Sequence, residues 1–311
     1  MGKAKSNPSM ESLAEERAKA EVEPRRRAKR AVTGAPTEPP RIAVEAGASE
    51  PLIETDLPEA ALDETLARPR KKTTAPAAEG AKSPEDALRR ALDAATPRSR
   101  GLWARRGLAS RAPLDRTTQA MLLRQLYLAH FEERRFAKAR DLAEQIVAIG
   151  VLPDVAHQDA ARARQALGDV DGAAAHLRLA ARLSPPHRRA FHFWTLGSLL
   201  FLSKRYEEAR AALTRAARWG TTDKPLYQGH LALIDCAEGL EVRNLGALIE
   251  RLSAVPAGQG YGRFVLGQMA FYERRWLDAR RHLEAFVRRS TSGRAALAIA
   301  LHGEIVVAEQ T

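Results

Sequence analysis

The sequence predicts an all-α fold in which helical hairpins stack on one another, and three observations support this prediction. Similar segments recur along the chain: FEERRFAKARDL at 131–142, FLSKRYEEARAAL at 201–213 and FYERRWLDARRHL at 271–283. Their central alanines, Ala139, Ala209 and Ala279, are spaced 70 residues apart, which is twice 35. Helical periodicity is continuous from Thr117 to Ala308. A period of roughly 34 residues is typical of repeats that contain two helices each.

The N-terminal region lacks the apolar content that a folded domain needs. Residues 1–98 carry 18 basic and 17 acidic side chains in separate blocks, with few large apolar residues. Such a segment cannot bury enough surface to offset its ordering entropy, so we expect a disordered polyampholytic tail. The exception is SPEDALRRALDAA at 83–95, where Ser83 can cap a helix and Pro84 suits its first position. A short helix is expected over 84–95, either as a transient helix or as a docking segment.

An acidic block lies within this tail. The stretch SEPLIETDLPEAALDETL at 49–66 places leucine and isoleucine among acidic residues and contains no lysine or arginine. A segment with this acidic-hydrophobic alternation either folds onto a basic groove or stays a solvated linker. Both interpretations remain open at this point, and the first would make the tail autoinhibitory.

A basic segment precedes the repeats. Residues 99–116 carry five arginines and one aspartate, and RSRGLWARRGLASRAP at 98–113 interleaves Trp103 with these arginines. A basic segment with an aromatic residue is suited to an anionic membrane, a nucleic acid or an acidic protein. The equal alternative is that residues 99–116 form an N-terminal cap on the first repeat.

Five repeats divide residues 117–311. Their approximate bounds are 120–153, 154–187, 190–223, 225–258 and 260–293. The fourth repeat keeps amphipathic helices but departs from the pattern of the others, with glycines at 229, 239 and 246. No repeat can bury its apolar face alone, so neighbouring repeats are expected to stack. Residues 291–310 are expected to form a closing helix over the last repeat.

The repeated pattern resembles the tetratricopeptide repeat (TPR) family, and the alanine- and arginine-rich composition favours a bacterial source. The matching residues in two repeats are Leu196, Gly197, Leu200, Tyr206, Ala209 and Leu213, and Leu266, Gly267, Trp276, Ala279 and Leu283. The resemblance implies a right-handed α-solenoid whose concave groove, lined by the first helix of each repeat, binds a segment of a partner protein. One subset of the family grips a C-terminal carboxylate with a Lys/Asn/Arg clamp. This chain departs from that clamp, since Arg124 stands in place of the lysine and the asparagines are absent.

The resemblance also places a set of side chains in the predicted groove. Aromatic residues and arginine carry much of the energy at protein interfaces, and both types are frequent in this set. Each of these side chains has inter-repeat packing as its alternative role. The predicted groove residues are Arg124, Phe131, Gln158, Arg162, Gln165, Phe191, Trp194, Ser198, Phe201, Tyr261, Phe264, Gln268, Phe271 and Tyr272.

Basic residues recur at equivalent turns of three repeats and are expected to form one edge of the fold. They are Arg134, Arg135, Lys204, Arg205, Arg274 and Arg275. This basic edge is either a solvated surface or a binding surface for an acidic partner. The whole chain carries 50 Lys and Arg against 38 Asp and Glu, a net charge of +12, which favours acidic partners of some kind.

No sequence motif indicates catalysis. The eight histidines lack metal-ligand spacing, and the sequence contains no P-loop, dinucleotide-binding or nucleophile-elbow motif. Cys236 is the one cysteine, so it forms no intrachain disulfide and is expected to be a small core residue. We therefore expect no enzyme activity, no cofactor and no metal site. No apolar stretch has the length of a membrane helix.

These observations predict a cytoplasmic scaffold or adaptor without enzyme activity. Its partner would be a protein with an acidic or amphipathic segment that binds the groove. One alternative is a nucleic-acid-associated protein that uses the basic edge and residues 98–113. Another is a chaperone of the same fold for a secreted substrate. The sequence does not identify the partner or the oligomeric state.

Overall fold

The computed structural model describes residues 83–293 and 295–311, and these residues form fourteen α-helices, one short 3-10 helix and no β-strand. The first seven helices are α1 Pro84–Leu92, α2 Pro97–Leu108, α3 Arg116–Glu132, α4 Phe136–Ile149, α5 Pro153–Ala166, α6 Val170–Leu183 and α7 Pro186–Leu202. The others are α8 Tyr206–Trp219, α9 Lys224–Ala237, α10 Leu245–Ser253, the 3-10 helix Pro256–Gly258, α11 Gly262–Tyr272, α12 Trp276–Ser292, α13 Ala295–Ala300 and α14 His302–Gln310. The predictions for the tail before residue 83 and for the acidic block at 49–66 lie outside the described residues.

The described helices begin at Pro84, within the range 84–95 where the sequence predicts a short helix, and a second helix follows from Pro97. Ser83 Oγ accepts a hydrogen bond from the backbone N–H of Asp86 at 3.2 Å, which caps α1. Helix α1 packs against α2 and α3, with Ala87 and Ala91 fully buried. These small side chains permit close helix packing, a tertiary contact that the composition of residues 84–98 does not reveal.

The basic segment forms α2, which packs between α1 and α3 and therefore acts as a cap on the first repeat. The guanidinium groups of Arg90 and Arg106 lie 4.7 and 4.8 Å from the ring centroid of Trp103. Cation–π contacts of this kind occupy the indole face. The Trp103 ring is thus already covered within the fold.

The turn between the two helices of each hairpin has the same geometry five times. One residue per turn has a left-handed backbone with φ between 57° and 80°; these residues are Arg134, Gly168, Lys204, Gly239 and Arg274. The following N–H group donates to a carbonyl five residues earlier, at 2.8 to 2.9 Å in every hairpin. This bond is typical of the Schellman motif at helix ends. The intervals between these turns are 34, 36, 35 and 35 residues, which agrees with the repeat period that the sequence predicts.

Two glycines permit the closest approach between the helices of a hairpin. A Cβ atom added at Gly267 of α11 would lie 2.5 Å from Cγ of Leu283 in α12. A Cβ added at Gly197 of α7 would lie at the same distance from Cγ of Leu213 in α8. Both distances are too short for real carbon atoms, so only glycine fits at these positions.

Replacing Gly267 with alanine is expected to lower the free energy of unfolding by about 1–3 kcal/mol, because the added methyl group overlaps Leu283. Urea unfolding followed by circular dichroism measures the change. Gly246→Ala is the matched control, since a Cβ there would meet only the Glu273 carboxylate at 3.7 Å. That variant is expected to be neutral or to gain up to about 1 kcal/mol from helix propensity. Equal effects of the two substitutions would contradict the close packing described here.

The fourth hairpin, α9–α10, is irregular, as its sequence predicts. Helix α10 begins only at Leu245, contains nine residues and follows Asn244, which has φ of 65°. The 3-10 helix then leads into α11. The second helix of this hairpin is therefore shorter than those of the other four.

The C-terminal segment, residues 295–311, forms two short helices instead of the single closing helix that the sequence predicts over 291–310. Helix α14 packs against α11 and α12, as expected for a cap on the last repeat. Helix α13, however, packs against α3 and α5 of the first two hairpins, where Ala296 and Ile299 contact the apolar core. The periodicity of the segment reveals an apolar face but not the surface that this face covers. No helix in the described ranges is both long and apolar enough to cross a bilayer.

Candidate binding face formed by the first helices

The first helices of the five hairpins, α3, α5, α7, α9 and α11, contact one another through their side chains. Arg124 of α3 reaches Asp159 of α5, and Gln158 of α5 reaches His192 of α7. His230 of α9 lies between aromatic rings of α7 and α11. We call the surface that these five helices form the first-helix face. It carries a polar half at α3–α5 and an aromatic half at α7–α11.

A buried ion pair joins the first two hairpins. Arg124 Nε donates to Asp159 Oδ2 at 2.7 Å, and the two residues are 8% and 0% exposed. The hydroxyl of Tyr127 also donates to the backbone carbonyl of Asp159, at 3.0 Å. Arg124 therefore holds two hairpins together, and its guanidinium group is largely shielded from solvent.

A second polar group joins α5 to α7. The ring nitrogens of His192 lie 2.9 Å from Gln158 Oε1 and 3.3 Å from Asp154 Oδ2, and Arg188 lies 3.2 Å from Asp154 Oδ2. Burial alone would raise the pKa of Asp154, but the hydrogen bond from His192 and the charge of Arg188 outweigh it and lower that pKa. Asp154 is therefore ionised at neutral pH, and its charge is compensated locally.

The aromatic half is centred on Tyr261, the residue that precedes α11. Its ring packs edge-to-face against Trp194 of α7, with centroids 4.7 Å apart, and also contacts Phe264. Phe201 packs edge-to-face against His230 at 5.1 Å. The sequence-predicted groove residues Trp194 and Phe201 of α7 thus lie close to Tyr261 and His230 at the start of α11 and in α9.

The C-terminal segment lies against this aromatic half and makes two polar contacts with it. The Tyr261 hydroxyl donates to Glu304 Oε1 at 3.2 Å, and Gln268 Nε2 donates to the Thr311 hydroxyl at 2.9 Å. Glu304 is 4% exposed, and burial raises the pKa of its carboxyl group to about 7. A substantial fraction of Glu304 is therefore protonated at neutral pH.

Five buried polar atoms of α7, α9 and α14 lack a hydrogen-bond partner among the described residues. They are Trp194 Nε1, Ser198 Oγ, both ring nitrogens of His230, and Glu304 Oε2. Burial lowers the pKa of His230 to about 3, so its imidazole is neutral and carries one N–H donor. We call Trp194, Ser198, His230, Tyr261 and Glu304 the Glu304 cluster. Unpaired buried polar atoms are costly, so this cluster has hydrogen-bonding capacity that the fold leaves unused.

The structure separates the remaining predicted groove residues by exposure. Phe131 and Phe264 are almost fully buried in the apolar core. Arg162, Gln165, Phe191 and Phe271 are half-buried, and Tyr272 is exposed. Phe271 packs edge-to-face against Trp276 at 5.2 Å. These two rings and Thr311 line an open depression of about 520 Å³ beside the end of α14.

Sequence reasoning missed His230 and Glu304. His230 lies in the fourth repeat, whose sequence departs from the pattern of the others. Gly239 occupies the left-handed turn position of this repeat, equivalent to Arg134, Lys204 and Arg274, and is the residue that aligns it with them. Glu304 is the one charged residue in the apolar run ALAIALHGEIVVA at 296–308. An isolated acid in an apolar run was the available signal, since a buried carboxyl group needs a partner.

The six residues of the predicted basic edge lie at three equivalent turns. Arg134, Lys204 and Arg274 occupy the left-handed positions and are exposed. Each of the residues that follow them forms ion pairs: Arg135 with Glu133 at 3.3 Å, Arg205 with Asp171 and Glu208, and Arg275 with Glu250 and Asp278. Half of the positive charge of this edge is thus compensated within the fold.

The described residues contain no group of three or more histidine, cysteine or acidic side chains suited to hold a metal ion. Burial raises the pKa of the Cys236 thiol, so the thiolate form that a nucleophile needs is disfavoured at neutral pH. The first-helix face, with its clustered aromatic rings and buried polar groups, is therefore the candidate functional site in the described part of the chain.

Comparison of the sequence with models of known protein families finds no match, and comparison with curated proteins finds none either. The tetratricopeptide resemblance therefore remains a prediction from the repeated residues themselves.

Proposed function

We propose that this protein is a cytoplasmic adaptor without enzyme activity, built as a right-handed TPR-like α-solenoid that binds a partner segment on its first-helix face. One observation supports this proposal most directly. The face already holds a helical segment, because α13 and α14 of the same chain lie against α3, α5 and α11. A surface that binds a helix from its own chain has the shape and the apolar character to bind one from a partner.

The chemistry of the aromatic half also favours this function. Trp194 and Tyr261 are residue types that contribute strongly at protein interfaces, and they lie side by side. Ser198 and His230 add hydrogen-bonding groups that the fold leaves without partners. A partner segment that reached these groups would gain both apolar contact and new hydrogen bonds.

Two observations weigh against nucleic-acid binding as the main function. The Trp103 ring, which would stack on a base, is covered by Arg90 and Arg106. On the basic edge, Arg135, Arg205 and Arg275 are paired with acidic residues of the same chain. Nucleic-acid association is therefore the alternative function, and affinity capture with and without nuclease distinguishes it from binding of a protein.

Affinity capture from native lysate, with nuclease added to half of each sample, tests the proposed function. We expect the full chain to capture one protein specifically, with the same yield after nuclease treatment. Trp194→Phe removes the indole N–H and keeps an aromatic ring, so it should weaken binding of that protein roughly three- to tenfold, as expected for one lost hydrogen bond. Phe264→Ala is unsuited to this test, because Phe264 is fully buried and its truncation would destabilise the core.

Trp219→Phe is the matched control for this experiment. Trp219 lies on α8, is half exposed, and packs under the guanidinium group of Arg189 at 4.7 Å. It is outside the first-helix face, so its replacement should leave capture unchanged. Capture that disappears with nuclease would instead establish nucleic-acid association and reject the proposed function.

A further inference from the structure

The Glu304 cluster contains four side chains that can donate hydrogen bonds and one acceptor, the Glu304 carboxyl group. This carboxyl group accepts a hydrogen bond from one of the four. Trp194 and Ser198 of α7 bring one indole N–H and one hydroxyl, His230 of α9 brings one imidazole N–H, and Tyr261, which precedes α11, brings one phenol O–H. Glu304 accepts a hydrogen bond from the phenol alone among these groups, through Oε1. Its second oxygen and the other three donors have no partner among the described residues.

We infer that this cluster is a carboxyl-binding subsite, that Glu304 is its ligand within the chain, and that a partner helix carrying one Glu or Asp displaces the C-terminal segment to occupy it. This inference rests on the proposed function and specifies the partner. The partner segment is helical and consists mainly of small and apolar residues. Its acidic side chain replaces that of Glu304.

A carboxylate is the ligand that best fits the donor set. A carboxyl group offers two oxygens that can accept hydrogen bonds, and Trp194, Ser198, His230 and Tyr261 each carry a group that can donate one. A carboxylate that reached a second donor would use the indole or imidazole N–H that now lacks an acceptor.

The shape of the resident segment defines the backbone of the partner. Helix α14 carries Gly303, where an added Cβ would lie 3.1 Å from Leu202 of α7, so a small residue is needed one position before the acid. Ile305 and Ala308 are buried in the core cluster that includes Tyr261 and Phe264. A partner helix therefore carries a small residue, an acid and an apolar residue at consecutive positions of its sequence, as Gly303, Glu304 and Ile305 are arranged here.

The first helix of the resident segment, α13, is weakly anchored, and the displacement of the segment can begin there. Helix α13 has only six residues, and none of them is fully buried. Leu297 on this helix is 36% exposed. Short helices with little buried surface open more readily than the packed hairpins of a fold. The unsatisfied atoms of the Glu304 cluster further reduce the stability of the docked state.

A fluorescent peptide with the sequence of residues 291–311 serves as the probe, and its binding to the full chain is measured by anisotropy. Ile305→Glu in the chain places a charge at a position that is 8% exposed and should release the resident segment. We expect the peptide to bind this variant at least about tenfold more tightly than the wild type. Gln310→Glu adds the same charge at an exposed position of α14 and should leave weak, wild-type binding unchanged.

The peptide itself carries the test of the carboxyl subsite. A second peptide with Glu304→Ala should bind the Ile305→Glu chain about tenfold more weakly than the native peptide. Equal binding of the two peptides would reject the carboxyl-binding subsite. Equal binding of the native peptide to wild type and to Ile305→Glu, both folded by circular dichroism, would reject the displaceable segment.

A second measurement decides the case in which Ile305→Glu fails to fold. Hydrogen exchange on the wild-type chain should then show that the amides of α13 and α14 open at lower free energy than those of α11. Equal protection of α14 and α11 would make the segment part of the cooperative core and overturn the inference. A wild-type dimer by light scattering that the peptide dissociates would make a second copy of the chain the occupant, and would overturn the assignment of a partner.

Failure of this inference is separable from failure of the proposed function. Suppose that the peptide binds neither the wild type nor Ile305→Glu, while Trp194→Phe still captures less protein from the lysate than the wild type does. The adaptor function then stands, and the role of the C-terminal segment is rejected. If the peptide binds as expected but no protein is captured, the subsite stands and the adaptor function is rejected.

Discussion

Replacing Arg124 with methionine is expected to lower the free energy of unfolding by about 3–5 kcal/mol, the range observed when one partner of a buried ion pair is removed. Arg124 Nε lies 2.7 Å from Asp159 Oδ2, and Asp159 is fully buried. The substitution leaves the Asp159 carboxyl group without its counter-charge, and Asp159 Oδ1 already lacks a hydrogen-bond partner among the described residues. Urea unfolding followed by circular dichroism measures the loss, and the melting temperature should fall by about 2–4 °C per kcal/mol.

Two further variants distinguish a buried pair from a general effect of lost charge. Arg135→Met removes an exposed arginine that lies 3.3 Å from Glu133, and should change stability by less than about 1 kcal/mol. Adding Asp159→Leu to Arg124→Met removes both charges and should restore most of the loss. An Arg124→Met variant as stable as Arg135→Met would contradict the described contact between the first two hairpins.

The stability of the wild type relative to Glu304→Gln is expected to fall by about 3 kcal/mol as the pH rises from about 4.5 to 7. Burial raises the pKa of the Glu304 carboxyl group from its ordinary 4.5 to about 7. Each unit of pKa shift corresponds to about 1.4 kcal/mol. The folded chain binds this proton more tightly than the unfolded chain, so the stability is fully present below pH 4.5 and is lost as the pH passes through 7.

Comparison of the two variants isolates Glu304 from other titrating groups. Burial lowers the pKa of His157 and His176, so their contribution to stability increases as the pH rises. These two residues titrate in the same way in the wild type and in Glu304→Gln. On the neighbouring helix α12, Arg280, Glu284 and Arg288 line the depression near Glu309, and they too are common to both. The free energy of unfolding, plotted against pH between 4 and 8, should therefore have different slopes for the wild type and Glu304→Gln. Parallel plots would contradict the buried state of Glu304.

The local parts of the fold could be read directly from the residues. Ser83 and Pro84 mark the start of α1, and glycine or a basic residue marks each left-handed turn, because helix ends and turns depend on neighbouring residues in the chain. The spacing of the hairpins follows for the same reason, since every hairpin repeats the same local contacts. Gly197 and Gly267 belong to the repeated pattern of the sequence, and they lie where the two helices of a hairpin approach closely.

The chemical role of each first-helix residue depends on contacts between hairpins, and no local pattern reveals these. Arg124 was predicted to face a partner, but it pairs with Asp159, 35 residues further along the chain. Phe264 was predicted on the groove, but neighbouring helices bury it completely. Both residues share a helix face with residues that stay accessible, so periodicity alone does not separate them.

The chain's repeated residues are enough to establish an all-helical architecture with a two-helix period, because helix formation and turn geometry are local. The position of the C-terminal segment is a property of the folded molecule. Glu304 meets Tyr261 across 43 residues of sequence, and Ala296 and Ile299 meet the first hairpins from the opposite end of the chain. Such contacts form because apolar surface and a buried carboxyl group find their complements only after the hairpins have stacked.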